Sequence, residues 1–216
     1  MSSAYISVLS GLVGMLGWGI YDFLGGVFSK QIGPFKSFFW SQLAGFFTIL
    51  LLLFVTVINL NLSILIIVLV PTAAIFYSAG YLFFFKGFEI GNISIVAAVM
   101  NLWAVFTMLF AFVFMDQRLS RQQTLGVCMI IAGVTIASLK WQDIQKHDFK
   151  LSRGVKETVL GAFFFGVFWN ISEIISEDIG WLATTLFVKF GIIVFLIFFD
   201  LVFLKVSEVS DSLKTL

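Results

Sequence analysis

The chain has 216 residues, of which 60% are hydrophobic and 12% charged, and its mean hydropathy is +1.07. Soluble domains are roughly 45–50% apolar, so this composition demands lipid as solvent rather than a polar exterior facing water. The net charge of +1 with no basic patch argues against a nucleic-acid partner, the single Cys128 excludes an internal disulfide, and the lone His147, in a polar stretch, supports neither a zinc site nor a Ser–His–Asp arrangement.

A membrane-spanning helix needs about 20 mostly apolar residues. Seven stretches qualify in chain order: 5–28, 36–57, 63–87, 93–115, 122–140, 155–176 and 180–204. The first lacks the basic flank and cleavage pattern of a secretory signal and reads as a retained helix. It carries Gly11, Gly14, Gly17, Gly19, Gly25 and Gly26, which let a neighbouring helix approach closely. The third contains Pro71, where a kink is expected. No stretch alternates in polarity as a barrel strand would. The fold class is therefore an all-α polytopic membrane protein of about seven transmembrane helices. The longest polar run, Lys140 to Lys156, divides residues 1–140 from 155–204, with a linker at 141–154 and a polar tail at 205–216. Lysine and arginine concentrate after helices 1, 3, 5 and 7, with only Arg118 and Arg121 on the other side, which by itself places the N-terminus outside.

The chain repeats itself. LGWGIYDF (16–23) aligns with VFWNISEI (167–174) at an offset of 151, pairing Trp18 with Trp169 and Asp22 with Glu173. IGPFKSFFWSQ (32–42) aligns with IGWLATTLFVK (179–189) at an offset of 147, pairing Gln42 with Lys189 and placing a four-residue deletion in the second turn. Both matches map helices 1 and 2 onto helices 6 and 7. Five helices separate the copies, and an odd number inverts the second in the membrane. Inverted repeats are a mark of secondary transporters, whose substrate site lies at the repeat interface.

FMDQRLSRQQTLGVCMIIAGVTIA (114–137) resembles the helix 4 to helix 5 region of EamA-like proteins in the drug/metabolite transporter superfamily, and GWGIYDFLGGVFSKQIGPFKSFFW (17–40) resembles their opening helix pair. The resemblance implies ten helices in two five-helix repeats, an N-terminus inside, and a carrier of small metabolites or drugs, usually an exporter, in a prokaryotic plasma membrane. Gln117 stands where the family commonly has Glu, Ala104 where a helix 4 proline is common, and the sequence stops at Leu216, two helices into the second repeat. What remains is one five-helix repeat followed by the first two helices of an inverted one.

An ionisable side chain at the membrane centre costs roughly 2.5–3.5 kcal/mol on insertion scales, so Asp22 is a candidate functional residue. It is expected ~9 Å from the end of its helix, at ~1.5 Å per residue, with Glu173 in an opposite vestibule of one central cavity. Trp18 and Trp169 precede the two carboxylates by four residues and share their faces, offering a π-surface and a carboxylate to a cation or amino group. Lys189 is expected to reach Glu173 in a salt bridge. Gln42, Asn101 and Asn170 are the remaining deep polar groups, and Tyr77 and Tyr81 form a further aromatic wall or simply pack. The Asn92-Ile93-Ser94 and Asn170-Ile171-Ser172 sequons lie in or beside helices and read as chance matches.

Tyr21-Asp22 resembles the Tyr-Asp pair of intramembrane aspartyl proteases, but Gly-x-Gly-Asp and His-Glu-x-x-His are absent, so no enzyme is expected, nor a metal or cofactor. No acidic ring or filter-like loop suggests a channel. The expected function is secondary transport by alternating access, or alternatively an incomplete or split transporter subunit. Expected partners are membrane lipid, a small-molecule substrate, and a homodimer or second chain supplying further helices. In the complete protein, Asp22→Asn is expected to abolish pH-driven flux while leaving insertion intact; unchanged flux would remove Asp22 from the mechanism.

Overall fold

The computed structural model describes residues 3–53, 63–115, 118–138 and 151–204. Its helices are α1 (Ser3–Ile32), α2 (Pro34–Leu53), α3 (Ile64–Ile90), α4 (Ile93–Met100), α5 (Leu102–Phe114), α6 (Arg121–Ser138), α7 (Val155–Ile179) and α8 (Trp181–Phe199), the last running into a π-helical turn at Asp200–Leu204. No strand is present among the described residues. Among the described residues six spans are long and apolar enough to cross a membrane, with α4 and α5 forming one of them; α6, at 18 residues, is helical but less apolar. Most of the polar stretch between α6 and α7 and the polar tail, on which the orientation and the linker depend, lies outside the described residues, as does Gln117.

Local chemistry sets the helix ends. Gly33 adopts a left-handed φ of +86° between α1 and α2, and Pro34 takes the first position of α2, where its missing N–H costs nothing. Gly180 has φ +80° between α7 and α8. Both hairpins thus turn on a single glycine, at repeat-equivalent positions. The four-residue deletion does not fall in the turn: α1 has fourteen residues after Trp18 and α7 ten after Trp169, so the second copy lacks about one helical turn. Removing a whole turn preserves which face looks inward, and both alignments therefore keep their register.

Ser63 caps α3, accepting from Ile66 N–H at 3.3 Å. Pro71 lies on an exposed face and α3 continues through it as one helix. Asn92 is the N-cap of α4, its Oδ1 accepting from Ser94 and Ile95. Ser120 and Gln123 make a reciprocal capping box at α6. The fourth span breaks at Asn101, whose Nδ2 turns back to donate to the carbonyls of Ala97 and Ala98 at the end of α4.

The bundle is built around α7. On α3 its Gly161 lies against Gly80 so closely that a Cβ on Gly161 would meet the Gly80 carbonyl oxygen at 2.7 Å. Gly87 meets Thr158 and Gly154 further along, and Gly166 faces Phe106 and Thr107 of α5. Helices in lipid gain no hydrophobic force from association, so small residues that admit backbone contact carry the packing. Around this seam Phe38, Tyr81, Phe84, Phe85, Phe88 and Phe165 are fully buried.

The glycines of α1 behave differently from expectation. Gly25 and Gly26 meet Phe85 and Ile93, but Gly11, Gly14, Gly17 and Gly19 have nothing within reach of an added Cβ. Only 6% of the most apolar stretch of α1 is buried, against 44% for α7. Close packing is realised on the second copy and only at one end of the first.

Gly161→Ala is expected to cost about 1–3 kcal/mol, because the added methyl group meets backbone that cannot yield. Gly126→Ala on α6, where the position is open, is expected to be neutral. Thermal unfolding in detergent compares the two, and equal melting temperatures would remove the α3–α7 contact as the organising seam.

Candidate functional site

A cavity of about 610 Å³ opens where α1, α2, α3, α7 and α8 converge. Its lining follows the repeat. Gly17, Trp18 and Tyr21 of α1 appear with Phe168, Trp169 and Ser172 of α7, each at an offset of 151. Ser41, Gln42 and Gly45 of α2 appear with Val188, Lys189 and Ile192 of α8, each at an offset of 147. Equivalent positions of two inverted copies come together only near the axis that relates them, so the cavity lies on that axis. Tyr77 and Tyr81 of α3 complete the wall.

Gln42 and Lys189 touch across the axis. The Lys189 ammonium donates to Gln42 Oε1 at 3.1 Å. The Gln42 amide nitrogen faces Ser41 Oγ at 3.4 Å and Tyr21 Oη at 3.5 Å. Ser41 uses its own proton on the Phe38 carbonyl at 2.7 Å, so Tyr21, 3.2 Å away, donates to Ser41 Oγ. Turning the amide over would set its NH₂ against the ammonium, and the network therefore fixes its orientation. Gly45 leaves the room: a Cβ there would stand 2.8 Å from Lys189 Nζ.

Aromatic rings hold the shape of this site. Tyr77 and Tyr81 stack at 4.6 Å, Tyr81 stacks on Phe38 at 5.5 Å, and Tyr77 meets Phe168 edge-on at 4.8 Å. Trp169 packs against Trp103 at 5.5 Å, while its Nε1 is buried with no acceptor.

A second cavity of about 530 Å³ lies beyond Trp18, which borders both together with Gly14 and Tyr81. It is lined by Asp22, whose Oδ1 is buried without a hydrogen-bond partner, and by Asn101 at the break between α4 and α5. With α1 extending to Ile32, Asp22 sits ten residues from the helix end, ~15 Å, deeper than the shorter helix expected from sequence would place it.

The sequence candidates thus divide. Trp18, Trp169, Gln42, Lys189, Tyr77 and Tyr81 share the larger cavity; Trp18 and Tyr81 also border the smaller one, with Asp22 and Asn101. Glu173 is exposed and borders neither, so the opposed-vestibule arrangement with Asp22 is not found. The expected Lys189–Glu173 salt bridge is likewise absent: the Lys189 head is held by Gln42, and the ion pair among the described residues is Lys86 with Glu89. The reason is geometric, since Glu173 lies one residue beyond Ser172 and falls off the cavity face. Asn170 is a packing residue, its Nδ2 donating to the carbonyls of Gly166 and Thr107. Tyr21, Ser41, Phe168 and Ser172 also line the larger cavity and are not among the sequence candidates, although all four lie within the two aligned stretches, 16–23 with 167–174 and 32–42 with 179–189.

A model of the EamA-like transporter family matches residues 5–139, which run from α1 to the end of α6. No curated protein and no solved structure matches the chain.

The Gln42–Lys189 contact is expected to show a coupling of about 0.6–2 kcal/mol in a double-mutant cycle of Gln42→Leu and Lys189→Met. Thermal stability in detergent provides the measurement, and additive losses would mean that the two side chains do not hold α2 to α8.

Proposed function

The chain belongs to the EamA-like transporter family, and on that premise we propose that it is a secondary transporter that carries a small metabolite or drug-like molecule outward by alternating access about the larger cavity. The observation that supports this is the pairing of repeat-equivalent residues around that cavity. In an inverted-repeat carrier the substrate sits at the repeat interface and one copy rocks against the other, so a site on the relating axis is reached from either side in turn. The single-glycine hairpins at Gly33 and Gly180 make α1–α2 and α7–α8 units that would move as pairs. The long contact of α7 with α3 is the surface over which such motion would slide.

Trp18 is the partition between the two cavities. Asp22 behind it is the coupling carboxylate in this reading: its buried, unpartnered Oδ1 is free to take a proton, and a rotation of Trp18 would join proton site and substrate site. A prokaryotic plasma membrane is the setting proposed.

A second reading, that the working carrier contains a further chain, is favoured by the exposure of α1. Its repeat counterpart α7 is a central helix, whereas α1 presents Leu9, Leu12, Val13 and Leu16 outward beside four open glycines. A second copy of the chain seated on this face would bury it.

Two measurements test these readings. In proteoliposomes under a pH gradient, at least one of an aromatic carboxylate, an aromatic amide and an aromatic amine is expected to accumulate. Asp22→Asn is expected to abolish that accumulation, and Glu173→Gln to leave it unchanged. Absence of flux for all three counts against the carrier; persistence of flux in Asp22→Asn removes the coupling role. In nanodiscs, mass photometry is expected to read two copies for the native chain and one for Gly19→Phe, a change made where nothing within the chain is in contact. One copy in both would exclude the dimer.

A further inference from the structure

Resting on the reading of the larger cavity as the substrate site, we propose that this site selects organic anions: a planar apolar body carrying a carboxylate or a similar monoanionic group, which Lys189 holds. Among the described residues the cavity wall contains one ammonium and no carboxylate. Asp22 borders the other cavity, and Glu173 neither. No carboxylate among the described residues stands within ion-pair distance of Lys189.

An ammonium has three N–H donors. Gln42 accepts one of them, and an amide oxygen satisfies a hydrogen bond without compensating a charge. Intramembrane charges pair with an opposite charge or mark a substrate path, and Lys189 has no such partner among the described side chains. The site therefore presents ammonium N–H groups beyond the one Gln42 accepts, the complement of an anionic acceptor such as a carboxylate.

The repeat sharpens this. At the two positions that meet on the axis one copy has Gln42 and the other Lys189. If the contact served only to hold α2 against α8, two amides would make it equally well. The lysine adds a positive charge facing the cavity, and an entering anion is what that charge would recognise. Trp18, Tyr77 and Phe168 supply the flat apolar surfaces for the rest of the molecule. A cationic substrate would meet repulsion from Lys189, and a neutral one would leave its charge uncompensated.

The experiment uses the full chain in nanodiscs and isothermal titration with 1-naphthoate, 1-naphthamide and 1-naphthylmethylammonium, which share one ring system and differ in charge. The carboxylate is expected to bind at least about tenfold more tightly than the amide, and the ammonium compound not at all. Lys189→Gln retains a donor for Gln42 Oε1, so the helix contact survives, and it should bring the carboxylate down to the level of the amide. Lys189→Arg should preserve the preference. Gly45→Ala, whose methyl group would displace the ammonium, should weaken carboxylate binding more than amide binding, and it serves independently if the lysine variants fail to fold. Equal or stronger binding of the amide or the ammonium compound, no binding of the carboxylate, or carboxylate affinity unchanged in Lys189→Gln or Gly45→Ala would overturn the proposal. A charge preference without flux in proteoliposomes would leave the anion site standing and defeat the carrier. Flux of neutral or cationic compounds that ignores Lys189 would defeat the anion site and leave the carrier.

Discussion

The backbone contact of α3 with α7 is the constraint on which the rest of the structure depends. Lipid tails are as apolar as leucine, so nothing like the hydrophobic effect in water draws these helices together. What does is surface that fits, and Gly80 against Gly161 lets two helices meet at backbone distance. With α7 seated there, Trp169 falls on the cavity wall and Asn170 bonds across to Thr107 of α5. The turn at Gly180 then sends α8 back along α2, and Lys189 arrives at Gln42. The polar centre is thus a consequence of a glycine contact that contains no polar side chain.

The repeat explains both what is symmetric in this site and what is not. Six pairs of equivalent positions border one cavity, because an axis relating two copies brings like to like. Symmetry fails in two places. The acid of the first copy, Asp22, turns into a second cavity while its counterpart Glu173 faces outward. The neutral Gln42 of the first copy meets a cation in the second. An axis-centred cavity bearing unequal charges is polarised along the line joining the copies, and the chemistry proposed for it follows from that inequality.

Aromatic residues give this cavity a rigid outline. The stack running from Phe38 through Tyr81 to Tyr77 and on to Phe168 is continuous, and it links α2, α3 and α7 through ring faces and edges. Large flat side chains fix a shape with few rotatable bonds, which suits a site that must keep its form while the helices around it shift.

Much of this was legible in the sequence. Composition determined the solvent, runs of apolar residues determined the helices, and the two offsets determined which residues correspond; the membrane, the helical fold and the pairing of Trp18 with Trp169 follow from local or internal comparison. What the sequence could not decide is which face of each helix looks inward. In water a helix declares its buried face by an apolar stripe, but here lipid and protein interior are both apolar and the stripe vanishes. Gly14 and Gly161 look alike as letters, yet one borders open space and the other a backbone. Lys189 likewise could not announce that Gln42, 147 positions away, rather than Glu173 would receive it. Those choices belong to tertiary packing, because only the approach of a second helix distinguishes one side of a uniformly apolar cylinder from another.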